Sequence, residues 1–149
     1  MKRSAGHPFF TVGRPLAFAH RGGATAWPEN TLLAFRGAWD AGCDVIETDL
    51  HLTRDGALVT IHDERVDRTT NGQGRVAEST LKELRQLDAA YWYSEDGQSF
   101  PLRGQGISIP TFDEAIAFAP DVHLNVELKG RNPTIAEALW QAIPSTWRW

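Results

Sequence analysis

Apolar and polar positions fall into short blocks of differing period along this chain. PLAFAH, from Pro15 to His20, is an apolar run that ends in Arg21-Gly22-Gly23, the pattern of a strand feeding a glycine-bearing loop. After Pro28, Leu32, Phe35, Ala38 and Trp39 recur at helical spacing, and Gly42 stands where a C-terminal glycine closes a helix. CDVIETDLHLT, rich in β-branched residues and Leu, predicts a second strand. Arg54-Asp55-Gly56 then turns the chain into ALVTIHD, a third. From Glu64 to Gly106 the pattern changes to turn signals (TTNGQG), a short helical stretch (STLKELRQLD) and a polar, glycine-containing segment (SEDGQSFPLRGQG), an excursion from the main fold. Ser79 with Lys82 makes a poor capping box there, whereas Thr111 with Glu114 makes a good one and opens TFDEAIAF. VHLNVELKG predicts a fourth strand, and NPTIAEALWQAI a helix with Pro133 near its first turn. Four strands alternating with helices or crossovers predict a parallel α/β sheet with its connections on the outside.

Length and charge narrow what such a sheet does. With 149 residues the chain has material for one core. Its 15 Lys and Arg against 19 Asp and Glu give a net charge of -4, so no global positive field holds a polyanion, and nucleic acid is excluded as the expected partner. A single cysteine, Cys43, forms no intrachain disulfide and supplies no multi-cysteine zinc site. The first twenty residues hold no apolar run of signal-peptide length, and no segment reaches the roughly 20 apolar residues of a membrane span. A soluble protein of a reducing, cytoplasmic compartment is expected.

The ionisable residues cluster at predicted strand ends: His20, then Glu47 and Asp49, then His62, then Glu127 and Lys129. In parallel α/β folds the carboxyl ends of the strands carry the ligand site, so residues distant in sequence converge there. Glu47 and Asp49, two apart on a strand, share a face at about 6.5 to 7 Å. Like charges so held call for a cation between them, to which Glu127 adds a third carboxylate. Oxygen-only ligands favour Mg²⁺, Ca²⁺ or Mn²⁺. An E-x-D pair on a solvated face is the plainer alternative. His20 and His62 have the chemistry of a general acid and base. His7 and His123 are assigned no role, and His51, which shares the face of Glu47 and Asp49, is read as pointing to solvent. Arg21 and Lys129 suit a phosphate, or else pair with nearby carboxylates.

Taken in order, HRGG at 20 to 23, PENT at 28 to 31, ETD at 47 to 49, TRDG at 53 to 56, HD at 62 and 63, RTTNGQG at 68 to 74, IPTFDEA at 109 to 115 and NVELK at 125 to 129 resemble the glycerophosphodiester phosphodiesterase family. The resemblance implies a (β/α)₈ barrel with a small insertion after the third strand, here about residues 64 to 106 of a 1 to 149 domain. It implies Glu47, Asp49 and Glu127 as ligands of one divalent cation, Mg²⁺ or Ca²⁺ with Mn²⁺ as a third choice. His20 and His62 would form the acid-base pair, Arg21 and Lys129 the phosphate grip, and Glu29 and Asn30 would shape the rim. The implied reaction cleaves a small glycerophosphodiester, such as glycerophosphocholine or glycerophosphoethanolamine, to glycerol 3-phosphate and an alcohol.

A complete barrel of this kind takes about 250 residues. The expectation is therefore its N-terminal half, truncated after about four strands and ending in PSTWRW as a premature stop would leave it, with impaired turnover. An open arc would expose Leu16, Phe18, Val45, Val59, Ile61 and Val126 and favour self-association. Two further readings stand beside the enzyme: a non-catalytic fragment that binds metal or phosphate or assembles with a partner half, and a lysophospholipase D-like activity.

Overall fold

The structure, a computed structural model, describes residues 13–118, 123–130 and 132–144. His7, and the end of the chain from residue 145 with its two tryptophans, lie outside them. Strands β1 (Phe18–Ala19), β2 (Val45–Leu52), β3 (Leu58–Thr60) and β4 (His123–Leu128) form one sheet. It is accompanied by helices α1 (Leu32–Asp40), α2 (Leu81–Leu84), α3 (Phe112–Phe118) and α4 (Thr134–Ala142). Two 3-10 turns, His20–Gly22 and Val76–Glu78, complete the described elements.

β2 is the spine. It pairs in parallel with β1 at Phe18↔Val45 and Ala19↔Ile46, and in parallel with β4 from Val45↔His123 to Leu50↔Leu128. β3 departs from expectation, because it runs antiparallel to β2, Leu50 opposite Thr60 and Leu52 opposite Leu58. The reason is the length of the link. A parallel return needs a crossover of a dozen or more residues, whereas Thr53 to Ala57 is hairpin-sized. The Thr53 amide donates to the Ala57 carbonyl at 2.9 Å, the Thr53 hydroxyl accepts from the Ala57 amide at 2.8 Å, and Gly56 takes φ +83°. The α/β character and the parallel β1-β2-β4 core stand; the wholly parallel sheet does not.

Helix starts follow side-chain capping. Thr31 caps α1 by accepting from the Ala34 amide at 3.2 Å, so the helix buries Ala34, Phe35 and Ala38 while Trp39, expected on the inner stripe, is 42% exposed. α2 is capped by Thr80 with Glu83 in a full capping box, one residue beyond the Ser79–Lys82 pair considered from sequence. The Thr111–Glu114 box opens α3 as expected, and Pro133 stands at the N-cap of α4. Gly42 follows α1 at φ +80°, a conformation glycine takes without penalty.

Among the described residues, three hydrophobic clusters hold the fold. Ala19, Ile46, Phe35, Ala38 and Ala115 join the sheet to α1 and α3. Leu50, Leu58, Phe112 and Ile135 join it to α3 and α4, with Val126 packed against them. The third draws Val66, Val76, Leu84, Ala89 and Ile109 onto Val59 and Ile61, so the 64 to 106 segment shares the core of the sheet. Val45, Val59 and Ile61 are thus buried and Val126 faces the helices. Of the side chains expected to be left open, Phe18 is the exposed one, at 51%.

Candidate active site

The period of two along β2 sets Glu47, Asp49 and His51 on one face, and the β4 register lays Asn125 beside Glu47 and Glu127 beside Asp49. One carboxylate oxygen each of Glu47, Asp49 and Glu127 lies within 4.8 Å of the others. Glu47 and Asp49 are buried; the Glu127 side chain is 59% exposed. This acidic group has the donor set of a hard-cation site.

The turn after β1 closes one side. Arg21 adopts φ +52°, which aims its backbone amide at Glu47 Oε2, 2.7 Å away. Its guanidinium bonds Glu29 at 3.1 Å and lies 3.7 Å from Asp49 Oδ2. Lys129, just past β4, places Nζ 2.7 Å from Glu127 Oε1 and 3.0 Å from Asp49 Oδ1. The second contact sets the ammonium against the buried oxygen of Asp49. Asn30, itself buried, donates to Asp49 Oδ2 at 2.9 Å.

His62 reaches the site by the returning strand. The Ile61 amide donates to the Asp49 carbonyl at 3.0 Å, which draws the end of β3 alongside the acidic pair. His62 Nδ1 sits 2.7 Å from Asp63 Oδ1. Arg68 then ties this pair to the opposite rim, with Nε to Asp63 Oδ2 at 2.7 Å, and Nη1 and Nη2 to the two oxygens of Glu29 at 2.9 and 2.7 Å. A continuous polar chain thus runs from His62 through Asp63, Arg68 and Glu29 to Arg21. Asp63 and Arg68 stand within HD and RTTNGQG without an assigned role, and no local pattern marks the bridge from Arg68 to Glu29, which spans 39 positions. His20 opens the 3-10 turn with an exposed side chain. His51, expected in solvent, is buried with Nε2 3.1 Å from the His62 carbonyl, and burial pushes its pKa down. It braces the His62 backbone.

The family model of the glycerophosphoryl diester phosphodiesterases matches residues 20–144. This chain belongs to that family. It is 44% identical over 135 residues to a glycerophosphodiester phosphodiesterase of Caldanaerobacter subterraneus, covering 87% of this chain and 53% of that one. Among solved structures, the glycerophosphoryl diester phosphodiesterase domain of a Mycobacterium tuberculosis protein superposes with a TM-score of 0.80 at 32% identity, over 86% of this chain and 47% of that one. An Oleispira antarctica phosphodiesterase, solved with the product sn-glycerol-3-phosphate, gives 0.72 at 36% identity over 88% and 54%. The chain spans about half the length of the relatives it matches. Among the described residues of this phosphodiesterase-family chain, no helix is long and apolar enough to cross a membrane.

The electrostatics of this rim follow from its pairs. Arg68 above all holds the Asp63 carboxyl down at about 2, so Asp63 is a permanent acceptor and His62 carries its proton on Nδ1. Burial would raise the Glu29 pKa, but Arg68 and Arg21 outweigh it and bring it below the usual carboxylate range. Burial likewise works against the Lys129 ammonium, and its bonds to Glu127 and Asp49 overcome that and raise its pKa. Arg68 and Lys129 stay charged.

Proposed function

We propose that this chain carries the catalytic rim of a metal-dependent hydrolase that cleaves a glycerophosphodiester to glycerol 3-phosphate and an alcohol. The observation that carries the proposal is the convergence of Glu47, Asp49 and Glu127 beside the His62–Asp63 pair. Three converging carboxylates, two of them buried, are the donor set of a hard cation. Glu47, Asp49 and Glu127 would hold one divalent ion, Mg²⁺, Ca²⁺ or Mn²⁺, whose chemistry is to neutralise a phosphoryl oxygen and to acidify an attacking hydroxyl.

The chain's own groups do the rest. With Nδ1–H held by Asp63, His62 offers the lone pair of Nε2 as a general base, and His20 on the β1 turn is the second proton carrier. Arg21, with its Nε buried and unbonded, and Lys129 grip the phosphate. Glu29 and Asn30 hold the rim in place. The product bound by the Oleispira relative supports the same substrate class here. We read β1, β2 and β4 as strands of the N-terminal half of a (β/α)₈ barrel, residues 64 to 106 as its insertion, and the free thiol of Cys43 as suited to the cytoplasm. The test is release of glycerol 3-phosphate from glycerophosphocholine by the purified chain with and without chelator. Chelator-sensitive release is expected; equal release in both removes the metal from the mechanism.

One observation favours a second reading, self-association. Among the described residues β4 pairs with β2 alone, so its other edge is an open strand, and such edges recruit further strands. Sedimentation of the chain as a single monomeric species across concentration would eliminate it.

A further inference from the structure

Beside the polar chain lies a cavity of about 300 Å³ that the proposed chemistry does not use. Its walls include Pro28 and Glu29 from the rim, Arg68, and Trp92, Tyr93 and Glu95 from the 64 to 106 segment. That volume is at the small end of ligand sites, roughly 300 to 1,000 Å³.

Its position is set by shared residues. Glu29 is at once a wall of the cavity and the partner of Arg21, and Arg68 is a wall and the partner of Asp63, which holds His62. A group in the cavity is therefore one side chain, Glu29, from Arg21, and two, Arg68 and Asp63, from His62.

The walls have a definite chemistry. Trp92 is 51% exposed, pinned rather than covered: Tyr91 meets it edge-on with centroids 4.8 Å apart, and Phe100 does so at 6.0 Å. Arg103 fixes this aromatic group, stacked at 4.1 Å on Tyr91 and 4.2 Å on Phe100, and 5.1 Å from Trp92. Of the charged walls, Arg68 is already committed to Glu29 and Asp63. Glu95 has only the Tyr93 hydroxyl, donating at 3.5 Å, and no basic side chain pairs with it among the described residues. Glu29, Arg68 and Glu95 together leave a net negative charge, beside an exposed indole. The Arg103 charge opposes a second cation on Trp92, so Glu95 has to supply the difference.

We propose that this cavity receives the alcohol half of the diester and selects a positively charged headgroup, a quaternary or primary ammonium, through Trp92 and Glu95. The assignment rests on the phosphodiesterase reading for its substrate, but its test does not need turnover. Choline and glycerol, the free alcohols of a cationic and a neutral substrate, are each titrated into the full chain and binding is read by calorimetry. Choline is expected to bind measurably and glycerol at least tenfold more weakly. Trp92→Ala is expected to weaken choline about fivefold or more, and Glu95→Gln, an exposed isosteric change that spares the fold, by about threefold. Added NaCl weakens choline in the wild type and less so in Glu95→Gln. Absence of choline binding, equal binding of glycerol, or choline affinity unchanged in Glu95→Gln overturns the proposal. Failure of glycerol 3-phosphate release alongside intact choline binding would instead count against the phosphodiesterase reading alone.

Discussion

Asn30 holds Asp49 by both its side chain and its backbone. Nδ2 donates to Asp49 Oδ2 at 2.9 Å, while Oδ1 accepts from the Asp49 amide at 3.2 Å and from the Thr48 hydroxyl at 2.7 Å. The backbone of Asn30 is bound as well, its amide to the Arg21 carbonyl and its carbonyl to the Thr60 hydroxyl. One residue at φ +56°, a conformation asparagine tolerates better than most, thereby locks the β1 turn, β2 and β3 to each other at the acidic group. Removing the amide strands a buried carboxylate and a buried hydroxyl. Asn30→Ala should lower unfolding free energy by about 2–4 kcal/mol, read from urea denaturation. A loss under about 0.5 kcal/mol would show that water replaces the amide at no cost.

The same arrangement explains what was legible in the sequence. Glu47, Asp49 and Glu127 could be placed together because a period of two and a parallel register are regular, and β2 and β4 keep both. The direction of β3 is written in the short Thr53 to Ala57 link, but alternation alone carries no sense of direction, so the four strands found among the described residues match the expectation and the orientation of β3 does not. His62 arrives at the site all the same, since a returning strand brings the residues after it back beside Asp49. The link from Arg68 to Glu29 and the clamp role of Asn30 were illegible for another reason: both depend on partners brought near by the tertiary fold.

Gly22 seats the β1 turn on α1. A Cβ there would stand 2.8 Å from Phe35 Cδ1 and 2.9 Å from Ala34 Cβ, in a backbone at φ +76°. Gly22→Ala combines left-handed strain with overpacking and is expected to cost about 2–4 kcal/mol. It also shifts the Arg21 amide from Glu47, so divalent-ion affinity should fall with stability. Calorimetric titration of Mn²⁺ and thermal melting of the same variant check both.

His62 and the metal ligands are separable. Glu47→Gln keeps size and loses charge, so it should weaken Mn²⁺ binding with little change in the melting temperature. His62→Ala should leave Mn²⁺ affinity intact and lower turnover by about 10² to 10⁴. Loss of metal binding in His62→Ala would place that residue among the ligands and overturn its assigned role.

The rim should have an acid-labile part whose sign follows from the depressed carboxyls. Asp63 has a pKa of about 2 in the fold, set first by its bond to Arg68, against about 4 in the unfolded chain. Glu29 is lowered too, as Arg68 and Arg21 outweigh its burial. Groups lowered on folding stabilise the native state above their unfolded pKa, and that contribution disappears as pH falls through the folded value. Arg68→Met removes the common partner, and because Arg68 is half-exposed its pairs are screened, so the cost at neutral pH is about 1 kcal/mol. Urea unfolding of wild type and Arg68→Met should therefore differ by a constant amount from about pH 6 to 7, where both carboxyls are ionised in either state. The difference should shrink as pH falls from about 4 towards 2, because protonated Asp63 and Glu29 no longer reward the guanidinium. A gap between the two proteins that stays constant down to pH 2 would mean that Arg68 does not act through these carboxylates, and the polar chain from His62 to Arg21 would lose its electrostatic basis.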